Sequence, residues 1–348
     1  MSKTKPRYII FGAGAIGCVT AGLLARAGSR VVCVARPPIA EALARGIILR
    51  DDKQELTITA DAVTRARDLS PQADDIALIT AKSQATQSAV EELFERYGGR
   101  LPVVCFQNGS RNEEIAARTF DKVYAGLVFF AAAQLEPGLI TFPQGRVAAI
   151  GTYPSGVDDT ARELVADLSR AGFDAIASAH VMAMKWGKLV ANLNNATTAI
   201  TGYYLEQAMA DPEMRQLMLA VREEGLRVLE AAGIEVEPPP DEPSPIRIRE
   251  MTEKLRKPPK EPHVPRGDGG GIRTYSSMWQ DLAVGRKTGE ADFLNGEIVS
   301  VGGKLGIPTP YNATLLEIVT RMFDEGRKPG ILTPSELHAL MRSRSAEG

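Results

Sequence analysis

The spacing of apolar positions divides the chain into two halves of different character. In the first, short apolar runs at residues 8–11, 31–34, 75–80 and 103–106 read as buried strands, and helical patterns reach about Ala27 and Tyr97. Continuous apolar runs alternating with helices are the mark of a parallel sheet covered on both faces. Residues 46–64 alternate apolar and polar around Asp51-Asp52-Lys53 and predict a hairpin. Residues 122–133 and 139–151 read as further strands turning at Pro137-Gly138, 158–171 as an amphipathic helix, and 173–178 as one more strand. From His180 onward the pattern is almost wholly helical. That change predicts a domain boundary there: an α/β Rossmann-type domain over residues 1–180, then an all-α domain over 181–348.

In the helical half, residues 184–200 read MKWGKLVANLNNATTAI. On one helix, Lys185, Lys188, Asn192, Asn195 and Thr198 share a face, and most other positions are apolar. A narrow polar stripe with no acidic member suits a cleft holding an oxygen-rich small molecule, and it equally suits a solvated stripe. Residues 209–232 predict a long amphipathic helix that can serve a dimer interface or the core. The Pro-rich, charged segment at about 236–272 breaks the pattern and predicts a loop, with a short helix near 246–255, that is either an insertion or a lid. Ser277 with Gln280 has capping-box spacing and predicts a helix starting at Ser277, whose N-terminus suits a carboxylate. Glu290 follows as the one acidic candidate for acid/base or orienting work, and the tail from Lys328 ends in a capped helix.

The first strand runs directly into Gly12-Ala13-Gly14-Ala15-Ile16-Gly17 and then a helix. In that context the glycines serve a tight turn, close approach of a pyrophosphate, and close packing of helix on strand. Arg36 stands just past the second strand, where NAD-binding units place an acid for the ribose 2′-hydroxyl; an Arg pairs with the 2′-phosphate of NADP instead. Lys82, at the end of the 75–80 strand, and Gln107-Asn108-Gly109, after the 103–106 strand, lie where open α/β sheets bind ligands.

Composition narrows the function classes. The 348 residues are 44% hydrophobic and 24% charged with net charge −2, which leaves no basic footprint for nucleic acid. Three cysteines lie in apolar runs without CxxC spacing, and three scattered histidines form no metal pattern. No run is long enough to span a membrane, and the start lacks the features of a signal peptide, so a cytoplasmic location is expected.

GAGAIG, Ala81-Lys82, Gln107-Asn108-Gly109, KWGKLVANLNN and SSMWQDLAVGRKTGEADFLNGE stand in one order from residue 12 to 297. With them the chain resembles the ketopantoate reductase (2-dehydropantoate 2-reductase) family. The resemblance implies a dinucleotide-binding domain followed by a helical domain like the C-terminal domain of 6-phosphogluconate dehydrogenase. It implies Gly12, Gly14, Ala15, Ile16, Gly17, Arg36, Lys82 and Asn108 on the NADP side, with Asn108 also bordering the substrate. Lys188 matches the catalytic lysine, Asn192 and Asn195 substrate-binding asparagines, Ser277 the serine holding the substrate carboxylate, and Glu290 the active-site carboxylate beside the cofactor. The chain departs from the family in reading Thr288-Gly289-Glu290 for the usual Thr-Glu, and Asn195 stands one position nearer the lysine than usual. The expected reaction is NADPH-dependent reduction of ketopantoate to D-pantoate. A related reductase of another 2-oxo acid and a non-catalytic NADP-binding sensor are the alternatives.

Overall fold

The computed structural model describes residues 5–51, 54–130, 132–136, 138–142, 145–238, 252–253, 255–256 and 274–347. The chain divides into two units, one built on Met1–Lys185 and the other on Trp186–Pro238 with Glu242–Gly348.

In the first unit the apolar runs become β1 (Arg7–Phe11), β2 (Arg30–Val34), β6 (Asp75–Ile79), β7 (Val103–Phe106) and β8 (Val123–Phe129). They join β5 (Asp61–Val63), β11 (Val147–Thr152) and β12 (Asp174–Ala177) in one sheet of order β12-β11-β8-β7-β6-β1-β2-β5. Neighbours are parallel except β8 and β11, so β11 and β12 run against the rest. Strand side chains alternate between two apolar layers. Tyr8 and Ile10 pack with α1 (Ala15–Arg26) and α5 (Asp159–Arg170); Ile9 packs with α3 (Thr86–Tyr97) and α4 (Asn112–Ala117). All three are fully buried, so neither face of the sheet is left to water. Between β2 and β5, α2 (Pro37–Arg45) leads to the expected hairpin of β3 (Ile47–Arg50) and β4 (Glu55–Ile58).

That hairpin belongs to a second sheet, β4-β3-β10-β9, with β9 (Ala133–Glu136) and β10 (Leu139–Thr141). The single strand expected over 139–151 is therefore two strands in different sheets. The overlooked signal is Pro143-Gln144-Gly145: proline donates no ladder bond, and Gly145 sits at φ +84°.

The second unit is helical. It takes in α6 (Val181–Asn192) from Trp186 onward, α7 (Asn194–Thr201), α8 (Leu205–Ala210) and α9 (Pro212–Ala231). After the Pro-rich segment come α10 (Ser277–Ala283), α11 (Asn295–Leu305), α12 (Pro310–Asp324) and α13 (Pro334–Glu347). α9 packs against α7, α11, α12 and α13 around buried Leu193, Ile200, Leu217, Val221, Ile298 and Leu315. Burying a side chain of this size contributes about 1.5–3 kcal/mol. Among the described residues no helix is long and apolar enough to cross a membrane.

Two expected helices change shape. The one over 209–232 begins at Pro212, because the Asp211 carboxylate caps it, accepting from Glu213 N–H at 2.8 Å and Met214 N–H at 3.1 Å. The one over 184–200 is two helices meeting at Leu193, whose N–H reaches Val190 O at 3.4 Å. The expected loop and short helix at 236–272 lie mostly outside the described residues.

Candidate functional site

At β1 the order of the sheet reverses, with β2 on one side and β6 on the other. Ligands of open α/β sheets bind outside the strand ends at such a point, and Gly12 to Gly17 lies there. Gly12 has φ +99° and its backbone passes so close to Ala81 that an added Cβ would lie 2.6 Å from Ala81 N. At Gly17 a Cβ would lie 2.4 Å from Gly12 O and 2.6 Å from Thr80 Oγ1, so helix and turn meet only without one. Gly14 differs: it is exposed, and nothing stands within 4 Å of where its Cβ would be. It caps α1 without a side-chain hydrogen bond, and Ala15 and Ile16 open the helix. The space beside Gly14, at the positive end of the α1 dipole, is therefore open, which fits a pyrophosphate. Arg36, exposed at the N-terminus of α2 just past β2, suits a 2′-phosphate near the same end of the sheet.

Lys82 follows β6 and is half-buried, with a 3₁₀ turn beginning at the next residue. Asn108, also half-buried, is held through its backbone carbonyl, which accepts from Ser83 Oγ at 2.9 Å and Asn112 Nδ2 at 2.6 Å. Gln107, expected to offer its amide to a ligand, is instead buried and donates to Ala81 O and Thr86 Oγ1. It braces the loop that presents Asn108.

Lys185 leaves the expected polar stripe. It is buried in the first unit, where it forms an ion pair with Glu113 of α4 and lies 3.5 Å from Cys105 O and 3.4 Å from Gly126 O. Burial pushes the Glu113 carboxyl above its ordinary range while Lys185 pulls it back. Sequence reasoning missed Glu113 because two acids in the first turn of a short helix look like ordinary dipole complements.

In the second unit, Lys188 and Asn192 on α6 are half-buried. Asn195 on α7 directs Nδ2 to Ser277 Oγ at 3.5 Å. The expected cap is corrected by one residue: Ser276, not Ser277, caps α10, accepting from Trp279 N–H at 3.3 Å and donating to Asn195 O at 3.2 Å. Ser276 thereby ties α10 to α7 and relieves the Ser277 hydroxyl of capping. Glu290 is half-buried where a 3₁₀ turn over Ala291–Phe293 begins. The extra Gly289 has a local reason: a Cβ there would lie 2.3 Å from the buried Phe323 ring. The second unit thus brings Asn195 and Ser277 together.

Two family models match the chain: Ketopantoate reductase PanE/ApbA over residues 8–155, and Ketopantoate reductase PanE/ApbA C terminal over residues 180–322. Among curated proteins, 2-dehydropantoate 2-reductase of Archaeoglobus fulgidus is 32% identical, covering 90% of this chain and 96% of its own. The Pyrococcus horikoshii enzyme of the same name is 27% identical over the same shares. Among solved structures, a PanE/ApbA family ketopantoate reductase from Ralstonia eutropha JMP134 aligns with TM-score 0.76 and 29% identity, covering 92% of this chain and 99% of that one. D-mandelate dehydrogenase with NADH and anilino(oxo)acetate aligns with TM-score 0.78 over 92% of this chain and 99% of that one; at 20% identity this is a likeness of fold.

Proposed function

The chain belongs to the ketopantoate reductase family, and on that premise we propose that it reduces 2-dehydropantoate to D-pantoate with NADPH, a step of pantothenate biosynthesis. The observation that carries this reading is the pairing of Asn195 with Ser277, whose hydroxyl is freed by the neighbouring cap, on the helical corner that also bears Lys188 and Asn192. Uncharged donors of this kind hold a carboxylate and a hydroxyl group without adding charge.

Each residue then has a task. Gly12, Gly14 and Gly17 admit the pyrophosphate to the α1 N-terminus, Arg36 pairs with the 2′-phosphate, and Lys82 and Asn108 border the nicotinamide side. Bound NADPH supplies the hydride that reduces the keto carbon. Ser277 binds the substrate carboxylate, and Asn192 and Asn195 orient the keto and hydroxyl oxygens. Lys188 donates a proton to the carbonyl oxygen as negative charge develops there, a stabilisation made chiefly in the transition state. Glu290 accepts a hydrogen bond from a substrate hydroxyl or orients the Lys188 ammonium.

The test is NADPH oxidation followed by absorbance with ketopantoate, with NADH and a panel of other 2-oxo acids beside it. Turnover with ketopantoate and NADPH, falling by about two orders of magnitude or more in Lys188→Ala while NADPH still binds, is the expected result. Turnover confined to another 2-oxo acid would refute the substrate, and full activity of Lys188→Ala would refute the proton donor.

A further inference from the structure

Beneath the segments carrying Asn192, Asn195 and Glu290, the second unit buries a chain of polar groups that the proposed chemistry does not use. Glu224 on α9 accepts from the backbone N–H of Asn312 at 2.7 Å, from Asn312 Nδ2 at 2.8 Å and from Tyr311 N–H at 3.0 Å. Its carboxylate caps α12 from a neighbouring helix. Asn312 Nδ2 also donates to Val221 O at 3.2 Å. With both amide protons on acceptors, Asn312 turns Oδ1 the other way, and that oxygen accepts from Asn295 Nδ2 at 2.9 Å. The second proton of Asn295 Nδ2 goes to Leu193 O at 3.1 Å. The two amide orientations follow from the carboxylate, because flipping Asn312 would set its oxygen against Glu224 and Val221 O.

Asn295 and Asn312 are fully buried. Among the described residues the Asn295 Oδ1 atom has no hydrogen-bond partner, and the side chain engages them through its two protons. One of them lands on Leu193, the residue that joins Asn192 at the end of α6 to Asn194-Asn195 at the start of α7. On its own strand of chain, Asn295 begins α11 just beyond the short turn that follows Glu290.

Resting on the function proposed above, we propose that Asn295 is a positioning residue: its amide, aimed by Glu224 through Asn312, ties the Glu290 segment to the corner between α6 and α7 and so sets Asn192 and Asn195 for the substrate. A hydrophobic residue of similar volume could fill the space, but it could not fix the direction of the Leu193 carbonyl. Directionality is what buried hydrogen bonds add to packing.

The experiment compares Asn295→Asp and Asn295→Ser in the full chain, each in wild-type and Glu290→Gln backgrounds, well below the melting temperature. Asn295→Asp keeps the shape and faces oxygen with oxygen; Asn295→Ser is smaller and retains one donor, which keeps a folded variant in hand. For the 2-oxo acid that the wild-type protein reduces, kcat/KM is expected to fall about tenfold or more, with the Kd of NADPH within about twofold. In the Glu290→Gln background the same change is expected to cost less than about threefold, because coupled residues lose additivity. Equal losses in both backgrounds, or no loss in either, would overturn the proposal. A crystal structure of Asn295→Ser decides the positioning whatever the substrate is: the Asn195 Nδ2 to Ser277 Oγ distance of 3.5 Å is expected to lengthen by about 1 Å, and an unchanged distance overturns it. A wild-type protein that reduces no 2-oxo acid refutes the proposed function and leaves this distance to decide the positioning.

Discussion

Replacing Glu113 with Gln strands the Lys185 ammonium in the first unit, where Lys185 is 3% exposed and Glu113 0%. The two carbonyls of Cys105 and Gly126, at 3.5 and 3.4 Å, are too distant to stand in for a carboxylate. Breaking a buried pair by removing one partner costs about 3–5 kcal/mol. At about 2–4 °C per kcal/mol for a unit of this size, the transition of the first unit should fall by roughly 10 °C. Lys185→Met should cost a similar amount and become less stable as pH rises. In that variant Glu113 keeps no cation, and burial already raises its carboxyl above the ordinary value of 4.5. A folded-state value above the unfolded one means that the native state binds the extra proton, so stability is lost as pH rises past that value. The double variant Lys185→Met/Glu113→Gln should be less destabilised than either single one. Thermal and urea unfolding from pH 5 to 9 measure all three. Single variants within about 2 °C of wild type, or a Lys185→Met variant whose stability does not fall as pH rises, would refute the reasoning.

Two further outcomes follow from geometry already described. Gly14→Ala should leave the melting temperature unchanged and weaken NADPH binding about tenfold or more, since its Cβ meets no protein atom and enters the space in front of α1. Gly17→Ala should lower both, because its Cβ collides with Gly12 O and Thr80 Oγ1; calorimetry with fluorescence titration separates the two, and a destabilised Gly14→Ala or a fully stable Gly17→Ala would contradict the assignment. Burial pushes the Cys18 thiol up to about 12 and the Cys33 and Cys105 thiols upward as well, so iodoacetamide at pH 8 should label none of the three in the folded protein and all three in urea. Mass spectrometry showing a labelled cysteine in the folded protein would place that thiol at the surface.

The parts of the fold that sequence made legible are those with local causes. A strand, a Gly-rich turn and a helix follow from residues within twenty positions of one another, and so does the β3–β4 hairpin. What escaped has distant causes. Nothing on the face shared by Lys185 and Lys188 distinguishes the two, because the carboxylate that draws Lys185 inward lies 72 positions away. Gln107 and Asn108 look alike as neighbouring amides, and only the folded loop turns one inward and leaves the other beside the strand ends. Ser276 and Ser277 could not be told apart by the spacing to Gln280; α7, which supplies the Asn195 carbonyl to Ser276, decides which hydroxyl caps. The candidate residues were legible as types in order along the chain; of their supporting amides, Asn112 and Asn312 carried no local pattern, and Asn295 stood in the quoted motif without any sign of its partners.

The order of strands in the large sheet bears on how the chain assembles as it leaves the ribosome. After β1 and β2, the strands β6, β7, β8, β11 and β12 emerge in the sequence in which they line up on the other flank of β1. Each newly made strand can therefore dock on the edge left by the last, without waiting for chain still to be synthesised. The small sheet breaks this rule. Its strand β3 is complete at Arg50, but its parallel neighbour β10 arrives only at residues 139–141. Through that interval the nascent chain carries one open edge beside a finished hairpin, and an open edge is where strands from other chains can attach. A nascent chain arrested short of residue 139 thus keeps the β3 edge open to strands of other chains.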